Sequence, residues 1–366
     1  MSSLTRSVLD APFDTRVDPD EFVRAAMHWH FSPETGSPYW LARARTLDFD
    51  PRRDVKGVAE LRLFPNIVNE LRDVHALDMI PRGYGSSPPV AAIYESGGTT
   101  GQPKRVVFLE DWMELLLEYR ARSLAEWHCP RDANWLSITP TGPHLIGSIV
   151  AREARKSGGV AFCVDLDPRW VKKLTTAGRT EEAAAYVDHL VDQAATILRS
   201  EDIKVLMTTP PMLERLARED NLVKLINEKV EAIMWGGTHM DADTRKMLRS
   251  EVYPGIPLIG VYGSTTILGG FNERVGLTAD DPCIFEPFSP YVTFSVVDPI
   301  SRQPLRYGER GQVIMNHVSK AMLLPNNLER DTAVRTRPLD GVAGDAVADI
   351  LPLKNFADLS VAVGVY

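Results

Sequence analysis

The segment Ser96-Gly97-Gly98-Thr99-Thr100-Gly101-Gln102-Pro103-Lys104 concentrates more usable chemistry than any other stretch of the chain. Three glycines let the backbone take φ > 0 and approach a ligand closely, so that successive N–H groups can point into one concavity. Ser96, Thr99 and Thr100 add hydroxyls, and Lys104 adds a fixed positive charge. Such a set suits a polyphosphate. It is not a Walker A loop, because no Gly-Lys-Ser/Thr stands at the required spacing. A loop of this composition is otherwise a plain surface turn.

Elements on either side must position it. An apolar run over 90–94 leads into the loop and predicts a strand; 160–164, 205–207, 230–235 and 257–262 predict others. Between them, Val187, Leu190, Val191, Ala194 and Leu198 recur at helical spacing over 183–198, a helix opens after Pro210-Pro211, and 241–249 reads as helical. Strands alternating with helices predict parallel βαβ units. Beyond about 285 the period becomes two: Val292, Phe294 and Val296 alternate with Thr293 and Ser295, which predicts half-exposed antiparallel sheet. The expected fold class is α/β, one large unit over 1–366 with a helical region to about 85, an α/β region over 86–285 and a β-rich region over 286–366.

Composition excludes other classes. The 366 residues carry 41 Lys+Arg against 49 Asp+Glu, a net charge of −8. Nucleic acid and anionic membrane are therefore not expected as partners, since both select a basic surface. No apolar run approaches the roughly 18 residues of a membrane helix, and residues 1–20 do not read as a signal peptide. Three separated cysteines, Cys129, Cys163 and Cys283, suit a reducing cytoplasm and give no disulfide frame or zinc knuckle. His28 and His30, on either side of Trp29, have no evident acidic or thiol partner and read as structural, so no metal ligand is assigned.

All nine positions of the glycine-rich segment fit the Ser/Thr-Gly-Gly-Ser/Thr-Thr-Gly-x-Pro-Lys signature, and the chain resembles the adenylate-forming superfamily of acyl-CoA synthetases, nonribosomal adenylation domains and luciferases. Further segments follow in that family's order. Pro140-Thr141-Gly142-Pro143-His144 is similar to the segment bordering the acyl pocket, Trp235-Gly236-Gly237-Thr238 to the strand end along the adenine, and Gly260-Val261-Tyr262-Gly263-Ser264-Thr265-Thr266 to the Tyr-Gly-x-Thr-Glu motif. Gly308-Glu309-Arg310-Gly311-Gln312-Val313 resembles a Gly-Glu-x-Gly-Glu-Leu strand entry, and Gly344-Asp345 a ribose-binding Gly-Asp. Ser319-Lys320-Ala321-Met322 ahead of Arg335-Thr336-Arg337 resembles the phenylacetate-CoA ligase branch, and more narrowly the small atypical adenylating proteins of phenazine antibiotic biosynthesis of the griseoluteic acid type.

The resemblance implies the large N-terminal domain of that fold and the reaction of a carboxylate with ATP to give acyl-AMP and pyrophosphate, with Mg²⁺ held through phosphates and water. It implies that Ser96, the 97–101 amides, Thr99 and Thr100 hold phosphates and that Lys104 fixes them. Gly236, Gly237 and Thr238 would flank adenine, Tyr262 stack on it beside Gly263, Thr265 and Thr266 face the phosphates, and Asp345 clamp the ribose hydroxyls. His144 would orient the acyl carboxylate, making Lys104, His144 and Thr265 the expected catalytic set. Taken singly, an Asp after Gly is ordinarily a turn residue, a strand-end Tyr core, and a His after Pro a loop hydrogen-bonder. Trp235 and Phe162 suggest either a flat aromatic pocket or ordinary core.

Two departures temper the expectation. Thr266 stands where the family's motif has a metal-holding Glu, and the chain reaches Tyr366 soon after Asp345, with no room for the family's small C-terminal domain. Isolated turnover is expected to be slow, since losing one donor aimed at developing charge costs about 10²–10³ in rate. A nucleotide- or aryl-acid-binding accessory protein is therefore the alternative. The partners implied are an aryl carboxylate, a downstream transferase or reductase, and a second copy of the chain as a homodimer.

Overall fold

The computed structural model describes residues 7–96 and 102–353. The first region is helical: α1 (Pro19–Phe31), α2 (Pro38–Arg43) and α3 (Pro51–Asp54), with a 3₁₀ turn over Ala44–Thr46 between the last two. Each helix starts on a proline behind an Asp or Ser cap; Asp18 accepts from the Glu21 amide at 2.8 Å. Proline costs nothing at that position, where its missing N–H would have had no helical partner. These helices are fastened to the far end of the sequence. The indole N–H of Trp29 donates to Lys320 O and that of Trp40 to Leu323 O, both at 2.9 Å, and His30 meets Ser319 O at 2.7 Å.

A six-stranded sheet forms the centre, in the order β4-β3-β5-β6-β7-β8. Its strands are β3 (Asn134–Thr139), β4 (Ala161–Asp165), β5 (Ile203–Thr208), β6 (Ala232–Gly236) and β7 (Leu258–Ser264), all parallel, with β8 (Gly269–Asn272) turned back antiparallel on β7. The crossovers are α5 (Leu145–Lys156), α6 (Pro168–Thr176) with α7 (Thr180–Ser200), α8 (Pro210–Leu216) with α9 (Asp220–Lys229), and α10 (Ala242–Met247). Both sheet faces are covered: Leu136, Leu206, Ile233 and Trp235 join the main core, while Trp135, Val205, Met207 and Met234 join a second cluster. This explains why these strands read as unbroken apolar runs.

Two sequence expectations are corrected. The strand before the glycine-rich loop, β1 (Val90–Glu95), lies outside the parallel sheet; it pairs antiparallel with β2 (Arg105–Leu109) as a two-stranded ribbon ahead of α4 (Glu110–Glu126). The helix expected over 241–249 is present: Asp241 caps α10, which continues through Leu248–Val252 in a wider helical turn.

The alternating strands at 292–297 and 310–318 are not half-exposed. β9 (Ile284–Phe285), β10 (Val292–Val297), β11 (Arg310–Val318), β12 (Leu323–Thr336) and β13 (Ala346–Pro352) form a sheet in the order β10-β11-β12-β13-β9. β10 is buried at every position but Ser295 and β11 at every position but Arg310. Their polar side chains are paired internally rather than solvated. Asn316 donates to Thr293 Oγ1 at 3.1 Å, and Gln312 donates to Glu329 O at 2.7 Å. Period two thus marks hydrogen-bonded polar rows as well as wet faces.

Candidate functional site

In parallel sheets the loops at the carboxyl ends of the strands converge on one edge, which is where such folds bind ligands. Here that edge gathers the segments after β3, β4, β6 and β7, with the β1–β2 ribbon and β12 beside them. Gly97, Gly98, Thr99, Thr100 and Gly101 lie outside the described residues. The base of their loop is described: Ser96 N donates to Lys104 O at 2.9 Å, and Lys104 N donates to Ser96 Oγ at 3.0 Å, so both ends of the loop are held together. Arg72 Nε donates to Gln102 O at 3.2 Å. Lys104 is half-buried. Burial lowers its pKa to about 8, with Arg72 and Arg330 acting in the same direction and Glu329 opposing. Its charge is therefore not fixed, as its residue type had suggested, but conditional on pH.

The turn after β7 presents Ser264, Thr265 and Thr266. Ser264 Oγ caps the turn, lying 2.7 Å from Thr266 Oγ1 and accepting from the Thr266 amide at 3.2 Å. Leu268 closes the turn at φ +57, a conformation that an L side chain adopts at a cost. It is held there by its carbonyl, which accepts from Trp112 Nε1 at 2.8 Å, and by its amide on Thr265 O. Gly263 is required for a close approach: a Cβ there would meet Gly269 O at 2.2 Å. Thr265 is half-buried and Thr266 is 3% exposed.

Across from this turn stand two carboxylates that sequence reading missed. Glu329 and Asp331 alternate on β12 and so point the same way. Thr266 Oγ1 donates to Glu329 Oε1 in a long contact of 3.4 Å, and the Tyr262 hydroxyl donates to Asp331 Oδ2 at 3.1 Å. Burial raises the pKa of Glu329 to about 7; Asp331 adds to the rise, while Lys104, Arg330 and the Thr266 hydrogen bond oppose it. Asp331 is also raised by burial, against Tyr262 and Arg330. Lys104, Tyr262, Thr266, Glu329 and Asp331 therefore form one coupled group. Oxygen donors of this kind suit a hard divalent cation such as Mg²⁺. Among the described residues no three acidic, His or Cys side chains converge, so any such ion would be shared with a ligand's phosphates.

Other expected site residues are placed differently. Asp345 is not brought to this group. Its carboxylate is 4% exposed, accepts from Arg335 Nε at 2.8 Å and from the Val296 amide at 3.1 Å, and ties β13 to β10 and β12. Both of its oxygens have partners within the protein, and the aspartate that the structure brings to the group of Lys104 and Glu329 is Asp331. Tyr262 does not offer an open stacking face either. It is 8% exposed, with ring centroids of Phe285 and Phe294 at 5.5 and 6.0 Å. Gly236 makes room for a strand: a Cβ would meet Val261 O at 2.9 Å. Gly237 is exposed and Thr238 half-buried at the end of β6. Trp235 is core, packed on Gly260, and Phe162 is half-buried on the edge strand.

His144 follows β3, which β5 and β6 separate from β7 in the sheet. Glu95 N donates to Pro143 O at 2.7 Å, fixing this segment to the ribbon that carries Lys104. His144 is 6% exposed. Burial and then Arg169 lower its pKa against Asp167, Glu95 and Asp165, which keeps the ring neutral at physiological pH. Arg169 and Arg105 donate to the two oxygens of Glu95 at 2.7 and 3.0 Å. Burial works against ionising Glu95, but the two guanidinium groups outweigh it and hold the carboxyl below its ordinary range.

No family model and no curated protein matches the chain. Solved structures do. One is 2-hydroxyisobutyryl-CoA ligase in the postadenylation state in complex with 2-HIB-AMP, at TM-score 0.62 and 12% identity, covering 90% of this chain and 65% of that one. An open conformation of that ligase in complex with 2-HIB-AMP and CoA gives 0.62 and 12%, covering 93% and 74%. The ATP-bound RpMatB-BxBclM chimera B3 gives 0.50 and 17%, covering 72% and 48%. The chain thus spans about half to three quarters of the length of these structures. At such identities the likeness is one of fold: the chain has the α/β architecture of the large domain of adenylate-forming ligases.

Proposed function

We propose that the chain binds ATP and activates a carboxylic acid as its acyl-adenylate, releasing pyrophosphate. The observation that carries this reading is the convergence of Lys104, Thr266, Glu329, Asp331 and Tyr262 at the carboxyl edge of the parallel sheet. It is supported by the fold shared with ligases solved with ATP and with an acyl-AMP.

The chemistry follows from charge. A carboxylate oxygen must form a bond to the α-phosphorus while the bond to the pyrophosphate oxygen breaks, so two anions are brought together. A site for this step works by positioning and by preorganised positive charge. Lys104 supplies that charge next to the closed base of the loop. Asp331, held by the Tyr262 hydroxyl, is placed to accept hydroxyls of the ribose. His144, neutral and close to Arg169, faces the acid end as a hydrogen-bonding group. Mg²⁺, when bound with the triphosphate, would supply charge neutralisation there, held by the phosphates and water with Glu329 and Thr266 as the nearest protein oxygens. The acid is assigned to the aryl class, a phenazine carboxylate included, on the resemblance of the sequence; the activated acyl group would pass to a transferase or reductase.

The burial of Tyr262 between Phe285 and Phe294 favours one second reading, an accessory protein that holds the nucleotide or acid with little turnover. ATP–pyrophosphate exchange with a panel of aryl and aliphatic carboxylates separates the two. Acid-dependent exchange lost in Lys104→Ala supports activation. Nucleotide binding without exchange supports the accessory reading, and absence of nucleotide binding removes both.

A further inference from the structure

The turn after β7 cannot hold its shape unaided. Leu268 closes it at φ +57, and both Ile267 and Leu268 are fully buried. A left-handed leucine persists only where its surroundings fix it, and a buried carbonyl must find a donor. Two side chains from distant parts of the chain meet both needs. Trp112, in the first turn of α4, donates its indole N–H to Leu268 O at 2.8 Å. His317 of β11 places Nδ1 at 2.9 Å from Ile267 O. The two rings meet edge to face, with centroids 4.4 Å apart.

The partners also decide the tautomer of His317. A carbonyl oxygen only accepts, so Nδ1 carries the proton and donates to Ile267 O, while Nε2 accepts from the Ser319 hydroxyl at 2.8 Å. Ser319 Oγ accepts in turn from the Met322 amide at 3.1 Å, and Ser319 O accepts from His30 of α1. With both nitrogens engaged, the ring cannot turn without breaking a bond, and Ile267 O keeps one fixed donor.

We propose that His317 is a positioning residue of the candidate site: with Trp112 it clamps the turn by two successive carbonyls and so sets where Thr265 and Thr266 stand for a nucleotide. The proposal rests on the nucleotide reading above. His317 is fully buried and reaches no ligand; it acts through Ile267, the residue directly after Thr266. Two amides inside the turn report on the clamp, that of Thr266 on Ser264 Oγ and that of Leu268 on Thr265 O.

The test pairs amide hydrogen exchange with calorimetric ATP binding on the full chain, well below the melting temperature of each variant. His317→Asn keeps a donor where Nδ1 stands and loses the Nε2 contact; His317→Gln keeps the Nε2 contact and loses Nδ1. Both remove the ring, so packing alone predicts equal behaviour. In His317→Gln the Thr266 and Leu268 amides should exchange about tenfold faster and ATP should bind about tenfold more weakly, the order of one lost hydrogen bond. In His317→Asn both should stay within about threefold of the unaltered protein. Trp112→Phe, which removes the bond to Leu268 O, should follow the Gln variant, and it decides the matter if a His317 variant fails to fold. Asn and Gln variants that behave alike overturn the proposal, as do faster turn amides with unchanged ATP affinity; both results leave the nucleotide reading standing. An unaltered protein that binds no ATP removes that reading, and the positioning role with it, whatever the exchange rates show.

Discussion

The Tyr262 hydroxyl donates to Asp331 at 3.1 Å, and this bond joins the end of the parallel sheet to the longest strand of the antiparallel one. It places a carboxylate at the site from a region where the sequence offered Asp345 instead. The two aspartates should separate cleanly. Asp331→Asn is expected to weaken ATP binding by about tenfold or more, the cost of losing a charged acceptor, with little loss of thermal stability. Asp345→Asn should do the reverse, leaving Arg335 without its partner and costing about 1–3 kcal/mol. Binding measured on the folded protein beside a thermal melt of each variant checks both. Equal effects of the two on binding would refute the assignment.

Lys104 makes nucleotide binding depend on pH. Burial lowers its pKa from 10.5 to about 8, so the native state favours the neutral amine. ATP affinity should therefore fall as pH rises through 8, and Lys104→Arg, which stays charged, should remove that fall. The stability effect has the opposite sense. A lowered pKa means that Lys104's contribution is fully present above 10.5 and lost as pH falls through 8. Lys104→Met is thus expected to be more stable than the unaltered protein at pH 7, with the difference fading towards pH 10. Chemical denaturation at both pH values decides it.

What the sequence disclosed follows the range of the interactions concerned. The strands at 205, 230 and 257 were legible because both their faces are buried, which leaves an unbroken apolar run. A turn between β1 and β2 was legible from its glycines, and its two ends are joined through Ser96 and Lys104. Glu329 and Asp331 were not: an Asn-Leu-Glu-Arg-Asp stretch looks like ordinary polar strand until β12 is laid across the end of β7. The partners of Asp345 were hidden for the same reason, since nothing local in Gly344-Asp345 shows that Arg335 and the Val296 amide hold it. The neutral Thr266 was correctly seen as a departure, but its neighbour 63 residues away was invisible.

One internal ion pair is expected to matter for stability alone. Arg120 of α4 and Glu153 of α5 are 3% and 2% exposed and share two hydrogen bonds, one of 3.2 Å, while Arg120 also donates to Gly270 O. They pin both helices to the edge strand β8. Removing one partner leaves a buried charge alone, so Glu153→Leu should cost about 3–5 kcal/mol. The double replacement Arg120→Met with Glu153→Leu should recover most of that. Urea denaturation of the three variants tests the coupling, and a double variant as unstable as the single one would contradict it.

Two histidines should control acid stability. His30 of α1 and His317 of β11 are fully buried and meet Ser319 from either side, His30 on its carbonyl at 2.7 Å and His317 on its hydroxyl at 2.8 Å. His317 Nδ1 also lies 2.9 Å from Ile267 O, one residue beyond Thr266, and its ring is 4.4 Å from that of Trp112. Burial lowers their pKa values to about 4 and about 3, with hydrogen bonds to backbone carbonyls opposing in each case. Because both fall below the unfolded value of 6.5, their contribution is fully present above 6.5 and is lost as pH falls towards 4 and 3. Each adds a slope of about 1.4 kcal/mol per pH unit within that window. His317→Asn should therefore be less stable at pH 7, where its hydrogen bonds are weakened, yet lose stability more slowly below 6.5. Denaturant midpoints of the two proteins from pH 7.5 to 4.5 should converge as the acid is reached. Parallel curves would show that His317 stays protonated or exposed in the native state, against its burial.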